Sequence, residues 1–457
     1  MFTATHDIDP HPRPGSRDRV RDRIGLIVCG SLAAGVFAAL VLVAAPLLPA
    51  DEDALTGGVL LGCALGWGLL AALSIRFSQQ PQRWAAAPAA VLGLAGGLLL
   101  TQPTDQVLGA LDWLWPPVLL ALVVWMAVGA HRRLRSRTRR WVMYPVLAIM
   151  ALASIGGGYE TVQEAVQEAD HPMAGQLVDV GGRRLYLRCT GSGSPTVVLE
   201  PGLSEASPAM GWITPAVAAN TRVCGYDRAG RGWSDPADRA LDGAQTAADL
   251  HTLLHRGGVE GPYVLAGHSF GGLYVLAFAA AYPDEVAGLV LIDSTAPAPA
   301  SGPGQGPPTD TSYDPTDRVL TVVPAAAHLG VGRLLAHISY NTLPPQSRDE
   351  AIARAARPSH LRSYADELRQ GGNAVRQAAA PIRLEGKPLI VLTAGRGNDA
   401  TWGAKQAKLA TLSTNSLHRV VPDATHGSLV MDPTDAAITA TAIRDVVDAV
   451  RNSTRLH

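Results

Sequence analysis

This sequence of 457 residues lacks the residue spacings that are typical of metal-binding motifs. It also has no large excess of acidic or basic residues. It has only 4 cysteines, and it contains no CxxC pair, no HExxH motif and no zinc-type spacing. We therefore expect neither a metal site nor another cofactor. The formal net charge is −1, and no arginine-rich segment is paired with aromatic residues. The sequence thus argues against a nucleic-acid partner.

Long apolar runs are what the first third of the chain has in abundance. Five runs are each about long enough to cross the hydrocarbon core of a bilayer as a helix, and Asp112 at an edge is their only charged residue. The third run is short and contains Pro88. The runs cover residues 24–45, 55–75, 84–100, 111–130 and 141–158.

The charges between these runs predict the orientation. Arginines are concentrated in residues 1–23 and in the loop between the fourth and fifth runs, whereas residues 51–53 are acidic. Basic loops stay on the cytoplasmic side of a membrane. We predict a basic cytoplasmic N-terminus (1–23) and an all-α transmembrane region of about five helices (24–158). An odd number of spans places all that follows outside the cytoplasm of a multi-pass cell-membrane protein.

The remaining residues alternate between strand-like and helical segments. After an acidic linker (159–173), this alternation predicts an α/β domain with a mainly parallel sheet over residues 174–457. An insertion begins with the Pro/Gly-rich stretch APAPASGPGQGPP and continues into helical segments. We interpret it as a helical cap, at about 296–386, in the usual place for substrate selection.

The stretch YVLAGHSFGGLY organises this domain. A short apolar strand from Tyr263 leads into a G-x-S-x-G match centred on Ser269, and an apolar helix follows. This strand–turn–helix context is typical of a nucleophile elbow. We predict that Ser269 is a nucleophile, and that Gly267 and Gly271 are small because strand and helix approach closely there.

The layout resembles the α/β-hydrolase superfamily of serine esterases and iminopeptidase-like enzymes over about residues 174–455. Besides GHSFGG, the stretches LEPGLSEASPAMGW, YDRAGRGWSD and ATHGSL carry the resemblance. It implies an α/β-hydrolase fold with a cap, and a nucleophile, acid and histidine in that chain order. It also implies that Asp227 and Arg228 support a loop rather than act on substrate.

A serine needs a base, and the base needs an orienting acid. His426 fits the base because it follows the last predicted strand. For the acid, the resemblance favours Asp399, after strand 389–394, and offers Asp293, one strand earlier, as the alternative. Asp423 is expected at the surface.

An oxyanion hole needs two backbone N–H groups. One is that of Phe270, directly after the nucleophile. The resemblance assigns the second to the loop Glu200-Pro201-Gly202-Leu203, where Pro201 has no N–H and Leu203 is the expected donor.

The sequence therefore predicts a membrane-anchored serine hydrolase that cleaves an ester-like carbonyl in a small-molecule substrate and contacts the lipid bilayer. It gives no indication of an oligomeric state. One alternative is an amidase or iminopeptidase-type hydrolase, in which Asp366-Glu367 would grip a substrate amine. The other is a non-catalytic membrane scaffold that binds a ligand.

The resemblance also bears on two cysteines. Cys189 and Cys224 lie in the second and fourth predicted strands, which are neighbours in the superfamily's sheet. Because disulfides persist outside the cytosol, the predicted topology implies a Cys189–Cys224 bridge.

Overall fold

A computed structural model of the chain describes residues 17–133, 137–170, 173–298, 315–382 and 384–457. Most of the predicted basic N-terminus and of the Pro/Gly-rich opening of the predicted cap lie outside these residues. The chain forms two compact units, residues 1–158 and 159–457.

The first unit is helical because its sequence is dominated by long runs of Ala, Leu, Gly and Val. Asp51 caps the second helix by accepting a hydrogen bond of 2.8 Å from the Ala54 N–H. The first and second helices approach so closely at Gly62 that a Cβ on this residue would lie 2.4 Å from the backbone nitrogen of Ala39. The helices are α1 (Arg17–Ala44), α2 (Glu52–Phe77), α3 (Ala86–Leu99), α4 (Asp105–Arg133) and α5 (Arg137–Asp170).

Within the described ranges, four helices of this unit are long and apolar enough to cross a membrane. They are α1, α2, α4 and α5. The third predicted span is the shortest, and a 3-10 turn (Arg83–Ala85) leads directly into the 14 residues of α3, so that Arg83–Leu99 form one short apolar helix. At about 1.5 Å per residue in α3 and about 2.0 Å per residue in the turn, this segment extends about 27 Å, slightly less than a hydrocarbon core of about 30 Å.

The last helix of this unit does not stop at the predicted linker. α5 continues from the fifth apolar run through Asp170, so most of the predicted linker is helical. Its last turns, from Tyr159 onward, belong to the second unit. There the buried carboxylate of Glu160 pairs with Arg333, with N–O distances of 2.7 and 2.8 Å.

The second unit is built on an eight-stranded sheet. Its order is β1-β2-β4-β3-β5-β6-β7-β8, with β1, β2 and β4 paired antiparallel and all later pairings parallel. The strands are β1 (Gln176–Asp179), β2 (Arg184–Thr190), β3 (Thr196–Glu200), β4 (Val223–Tyr226), β5 (Tyr263–His268), β6 (Val286–Ile292), β7 (Leu389–Ala394) and β8 (Ser416–Val421).

Helices cover both faces of this sheet, so its central strands are continuous apolar runs. One face packs on α7 and α8, with Leu250 and Phe278 in its core. The other packs on α6 and α15, with Ile213 and Ile443 in its core. The helices are α6 (Ile213–Ala218), α7 (Gly243–Arg256), α8 (Gly271–Ala281), α13 (Ala400–Ala410), α14 (Ser428–Met431) and α15 (Pro433–Asn452), with the numbers between taken by the cap.

The insertion between β6 and β7 is helical, as the sequence predicts. Its described helices are α9 (Pro315–Val322), α10 (Val331–Ser339), α11 (Pro345–Ala355) and α12 (Pro358–Gln377). α12 comes close to the elbow, because a Cβ on Gly371 would lie 3.4 Å from the Phe270 ring. The cap helix therefore lies beside the residue that follows Ser269.

The structure joins Cys189 to Cys224 by a disulfide. The two residues stand directly opposite each other on the antiparallel strands β2 and β4. Their Cα atoms are 4.0 Å apart.

Candidate active site

Ser269 lies on a sharp turn between β5 and α8. Its φ of +53° is in the left-handed region that residues other than glycine rarely adopt. The turn is close enough to its surroundings that a Cβ on Gly267 would lie 2.8 Å from the Gly271 carbonyl oxygen. A Cβ on Gly271 would lie 2.5 Å from the carbonyl oxygens of Glu200 and Pro201. Only glycine fits at these two positions.

His426 lies in the loop between β8 and α14. Its Nε2 is 2.8 Å from the Ser269 hydroxyl oxygen, and its Nδ1 is 2.6 Å from Oδ2 of Asp293. The imidazole is half-buried, and the Trp402 ring lies nearly perpendicular to it at a centroid distance of 6.2 Å. A donor on Nδ1 leaves Nε2 free to accept the serine proton.

Asp293 follows β6 directly, and its side chain is fully buried. In addition to the contact of its Oδ2 with His426, Asp293 accepts hydrogen bonds at Oδ1 from the Trp402 indole at 2.8 Å and the Ala394 N–H at 3.2 Å. The Asn398 amide lies 3.3 Å from each of its oxygens. Burial alone raises the pKa of Asp293, but the hydrogen bonds from His426 and these other donors outweigh burial and lower it. The carboxylate is thus held ionised.

Asp399 does not reach the histidine, and the preference for it as the acid is corrected by this geometry. It precedes α13, is exposed, and accepts a hydrogen bond of 2.8 Å from the Trp402 N–H as the N-cap of that helix. A helix begins at the next residue, so its carboxylate faces the first-turn amides. Asp293, the alternative, is the carboxylate that contacts His426. Asp423 is exposed, as expected.

The two predicted oxyanion donors keep their backbone N–H groups available. Among the described residues, neither Phe270 nor Leu203 donates a backbone hydrogen bond. The neighbouring Gly202 N–H is already bound to Oε2 of Glu205 at 2.7 Å. Backbone donors free of other partners are what a developing oxyanion requires.

Arg228 fixes the loop that carries Leu203. Its guanidinium donates to the carbonyl oxygens of Pro201 at 2.8 Å and Gly202 at 2.7 Å. It also pairs with the buried carboxylates of Glu200 at 2.5 Å and Glu367 at 2.7 Å. Glu367 belongs to α12, so one arginine links this loop to the cap.

Asp227, beside it, is a loop support of the same kind. Its oxygens accept the backbone N–H of Ser207 at 2.7 Å and of Trp233 at 3.0 Å. Burial raises the pKa of Asp227 to about 6. Neither Asp227 nor Arg228 contacts Ser269 or His426 in the structure.

His268 is a site residue that sequence reasoning missed. Its Nδ1 is 3.2 Å from Oε2 of Glu205, and its Nε2 is 3.1 Å from the backbone carbonyl oxygen of His426. Burial lowers the pKa of His268, but the Glu205 carboxylate outweighs it and raises the pKa. Both partners are acceptors, so both ring nitrogens donate. The one signal in the sequence was its place directly before Ser269.

Comparison with known proteins identifies the fold. The family described as alpha/beta hydrolase fold matches residues 195–429, which is more than half of the chain. An uncharacterised protein of Schizosaccharomyces pombe is 26% identical over 294 residues, or 56% of this chain and 53% of that protein. The 2-(acetamidomethylene)succinate hydrolase of Mesorhizobium japonicum is 30% identical over 127 residues, or 28% of this chain and 45% of that protein.

A solved structure, wild-type Cfl2 from Burkholderia cenocepacia, is 22% identical with a TM-score of 0.48, and the match covers 60% of this chain and 95% of that one. The chain spans about half the length of the two curated relatives above. The family match coincides with the parallel sheet and with the loops that carry Ser269, Asp293 and His426. The chain belongs to the α/β-hydrolase family.

Proposed function

We propose that this chain is a membrane-anchored serine hydrolase that cleaves an ester-like carbonyl in a small-molecule substrate. One observation carries the proposal. The side chains of Ser269, His426 and Asp293 form a continuous chain of contacts, at 2.8 Å from hydroxyl to imidazole and 2.6 Å from imidazole to carboxylate. Nucleophile, base and orienting acid in this order are what acyl transfer from serine requires.

In the proposed reaction, Ser269 Oγ attacks the substrate carbonyl carbon while His426 Nε2 takes the hydroxyl proton. The ionised Asp293 stabilises the imidazolium that forms. The N–H groups of Phe270 and Leu203 donate to the negative oxygen of the tetrahedral intermediate. His426 then gives the proton to the departing alcohol. A water molecule, deprotonated by the same imidazole, then attacks the acyl-enzyme. The bond from the acyl carbon to Ser269 Oγ breaks, the acid is released, and the imidazolium returns the proton to Ser269 Oγ.

His268 acts as a positioning residue in this proposal. It donates to the backbone carbonyl oxygen of His426 and so fixes the loop of the base. Its other donor bond goes to Glu205, which also holds the Gly202 N–H. One buried pair thus supports both the base and the oxyanion loop.

The iminopeptidase-type alternative receives less support. It needs a free carboxylate in the cap to hold a substrate amine. Glu367 is buried and pairs with both Arg228 and Arg231, the latter at 2.6 Å. Asp366 pairs with Arg369 at 2.7 Å. Both carboxylates therefore already have cationic partners.

The four long apolar helices support the membrane anchor. We further place the hydrolase unit outside the cytoplasm, where the Cys189–Cys224 bridge would persist. This side requires an odd number of crossings, so α3 must cross as well. Labelling by an impermeant thiol reagent after reduction, in intact cells and in the denatured protein, tests the placement. Cys224 is buried in the folded unit, so Cys189, which is partly exposed, is the readout and should be labelled in intact cells only if it lies outside.

Turnover of acyl esters of graded chain length by the purified full chain tests the activity. Ser269→Ala is expected to lose roughly 10³-fold or more in turnover and to keep its fold. Ser192→Ala removes an exposed hydroxyl before β3, at the opposite edge of the sheet, and serves as the matched control. Near-normal hydrolysis by Ser269→Ala would contradict the proposal.

A further inference from the structure

Two histidines and a glutamate meet at the end of the sheet where the parallel strands begin, whereas Ser269 lies at the end where they finish. His251 and His255 lie one turn apart near the end of α7, on one face of the helix. Glu285 ends a short 3-10 turn (Pro283–Glu285) and directly precedes β6. Because β5 and β6 are parallel neighbours, the residue before β6 and the serine after β5 lie at opposite ends of these strands. The cluster is therefore separate from the candidate active site.

The three side chains converge on one point. Nε2 of His251 lies 3.0 Å from Oε1 of Glu285, and Nε2 of His255 lies 3.1 Å from the same oxygen. All three ligand atoms lie within 4.8 Å of one another. A tetrahedral zinc ion with bonds of about 2.0–2.1 Å separates its ligand atoms by about 3.3 Å. The two nitrogen–oxygen separations thus already stand close to that spacing.

The histidine rings are held in place before any ion binds. The His251 ring stacks on the Tyr282 ring with centroids 4.0 Å apart and planes 11° apart. The His251 and His255 rings lie 4.4 Å apart. A preorganised ring loses little freedom when a ligand binds, which favours binding.

Glu285 supplies an independent observation. Its second carboxylate oxygen, Oε2, is buried and accepts no hydrogen bond from the described residues. A buried acceptor without a partner costs free energy. A divalent cation beside this carboxylate would offset that cost, because it attracts both oxygens.

The chemistry of the donors selects the ion. Two imidazole nitrogens and one carboxylate oxygen suit zinc and similar first-row ions, whereas calcium and magnesium prefer oxygen ligands alone. The His255 side chain is 56% exposed, so an ion and a completing water reach the site from solvent. We propose that His251, His255 and Glu285 form a Zn²⁺ site that ties the end of α7 to the entry of β6.

Sequence motifs did not show this site, because its ligands come from two elements. The two histidines form H-x-x-x-H, without the glutamate that marks HExxH. The third ligand follows 30 residues after His255 and is brought there by the fold. An absence of compact motifs therefore does not exclude a site assembled from separate elements.

Zinc titration of the full chain, purified in detergent and stripped of metal with a chelator, tests the proposal by calorimetry. The native chain and His337→Ala, which removes an exposed histidine of α10, are expected to bind one equivalent at the site. His255→Ala is expected to bind it at least about tenfold more weakly. Glu285→Gln keeps the side-chain shape but loses the charge, and the same loss is expected.

Thermal unfolding gives a second readout that does not depend on activity. Zinc that binds the folded chain raises its Tm. The rise is expected in the native chain and in His337→Ala, and not in His255→Ala or Glu285→Gln. No zinc binding by the native chain, or equal affinity and equal Tm rise in all four proteins, would overturn the proposal and leave a cluster held by hydrogen bonds only.

Discussion

The loops after β6 and β7 each carry an aspartate near the end of a buried strand, yet the two aspartates behave differently. Asp293 is fully buried and contacts His426, whereas Asp399 is exposed and caps α13. A helix starts directly after Asp399, and its first-turn amides engage the carboxylate. No helix begins directly after Asp293 among the described residues. The local continuation of the chain, more than the strand position, decides which carboxylate reaches the histidine.

The β7 loop still contributes to the site, although its Asp399 does not contact His426. Its Trp402 indole and Asn398 amide both donate to Asp293. Trp402 donates its backbone N–H to Asp399 and its indole N–H to Asp293, so one residue serves both carboxylates. The N-cap residue Asp399 thereby positions Trp402, whose indole N–H donates to the buried Asp293.

Exchange of each carboxylate for an amide distinguishes the roles of Asp293 and Asp399 most clearly. Asp293→Asn is expected to reduce turnover by about 10⁴-fold, because an amide no longer stabilises the imidazolium and favours the wrong tautomer of His426. Asp399→Asn is expected to stay within about twofold, since asparagine caps a helix as well as aspartate does. Measurement of kcat/KM for both variants on the same ester shows which carboxylate the reaction requires. The reverse order of effects would return the acid to the β7 loop.

Loss of the indole donor is expected to have a smaller effect. Trp402→Phe keeps the ring but removes the N–H bound to Asp293, and a hydrogen bond to a charged group contributes about 1.5–3 kcal/mol. We expect turnover to fall by about tenfold and the acidic limb of its pH profile to move to higher pH. Trp212→Phe, which loses a bond to the Thr342 carbonyl, is the control. An unchanged profile in Trp402→Phe would remove the supporting role.

The lowered pKa of Asp293 predicts a pH-dependent stability. Its folded-state pKa lies below the ordinary value of 3.8, so the stabilisation is present above pH 3.8 and is lost as the pH falls through the folded value. The stability gap between the native chain and Asp293→Asn should therefore narrow on acidification. Thermal unfolding over a series of acidic pH values measures the gap. A gap that widens towards low pH would contradict the direction of the shift.

The smallest effect concerns stability alone. Asp399→Ala removes the N-cap of α13 and is expected to cost about 0.5–2 kcal/mol of unfolding free energy. Denaturant unfolding of Asp399→Ala and Asp399→Asn separates the cap from the charge, because only the alanine variant lacks a capping oxygen. Equal losses in both variants would mean that the charge, and not the cap, stabilises the helix.

Much of the fold was predictable because its signals are local. The strand before Ser269, the apolar helix after it and the alternation of later elements all follow from short patterns. The position of His426 after the last strand was predictable for the same reason. Each depends on residues adjacent in the chain.

What could not be predicted depends on contacts between distant segments. The Asp293 carboxylate acquires its partners from Trp402 and Asn398, which lie more than 100 residues further along the chain. The Asp399 N-cap, in contrast, has a local signal in the sequence, because this aspartate stands directly before a helical segment. Glu285 joins His251 only through the packing of α7 against the entry of β6.

Covalent labelling by a fluorophosphonate probe tests whether Ser269 is the nucleophile, since the probe reacts with an activated serine and not with an ordinary hydroxyl. The full chain and Ser192→Ala are expected to take up one probe molecule, which peptide mapping should locate on Ser269. Ser269→Ala is expected to remain unlabelled while it stays folded. Absence of label on the native chain, or equal labelling of Ser269→Ala, would contradict the assignment of Ser269 as the nucleophile.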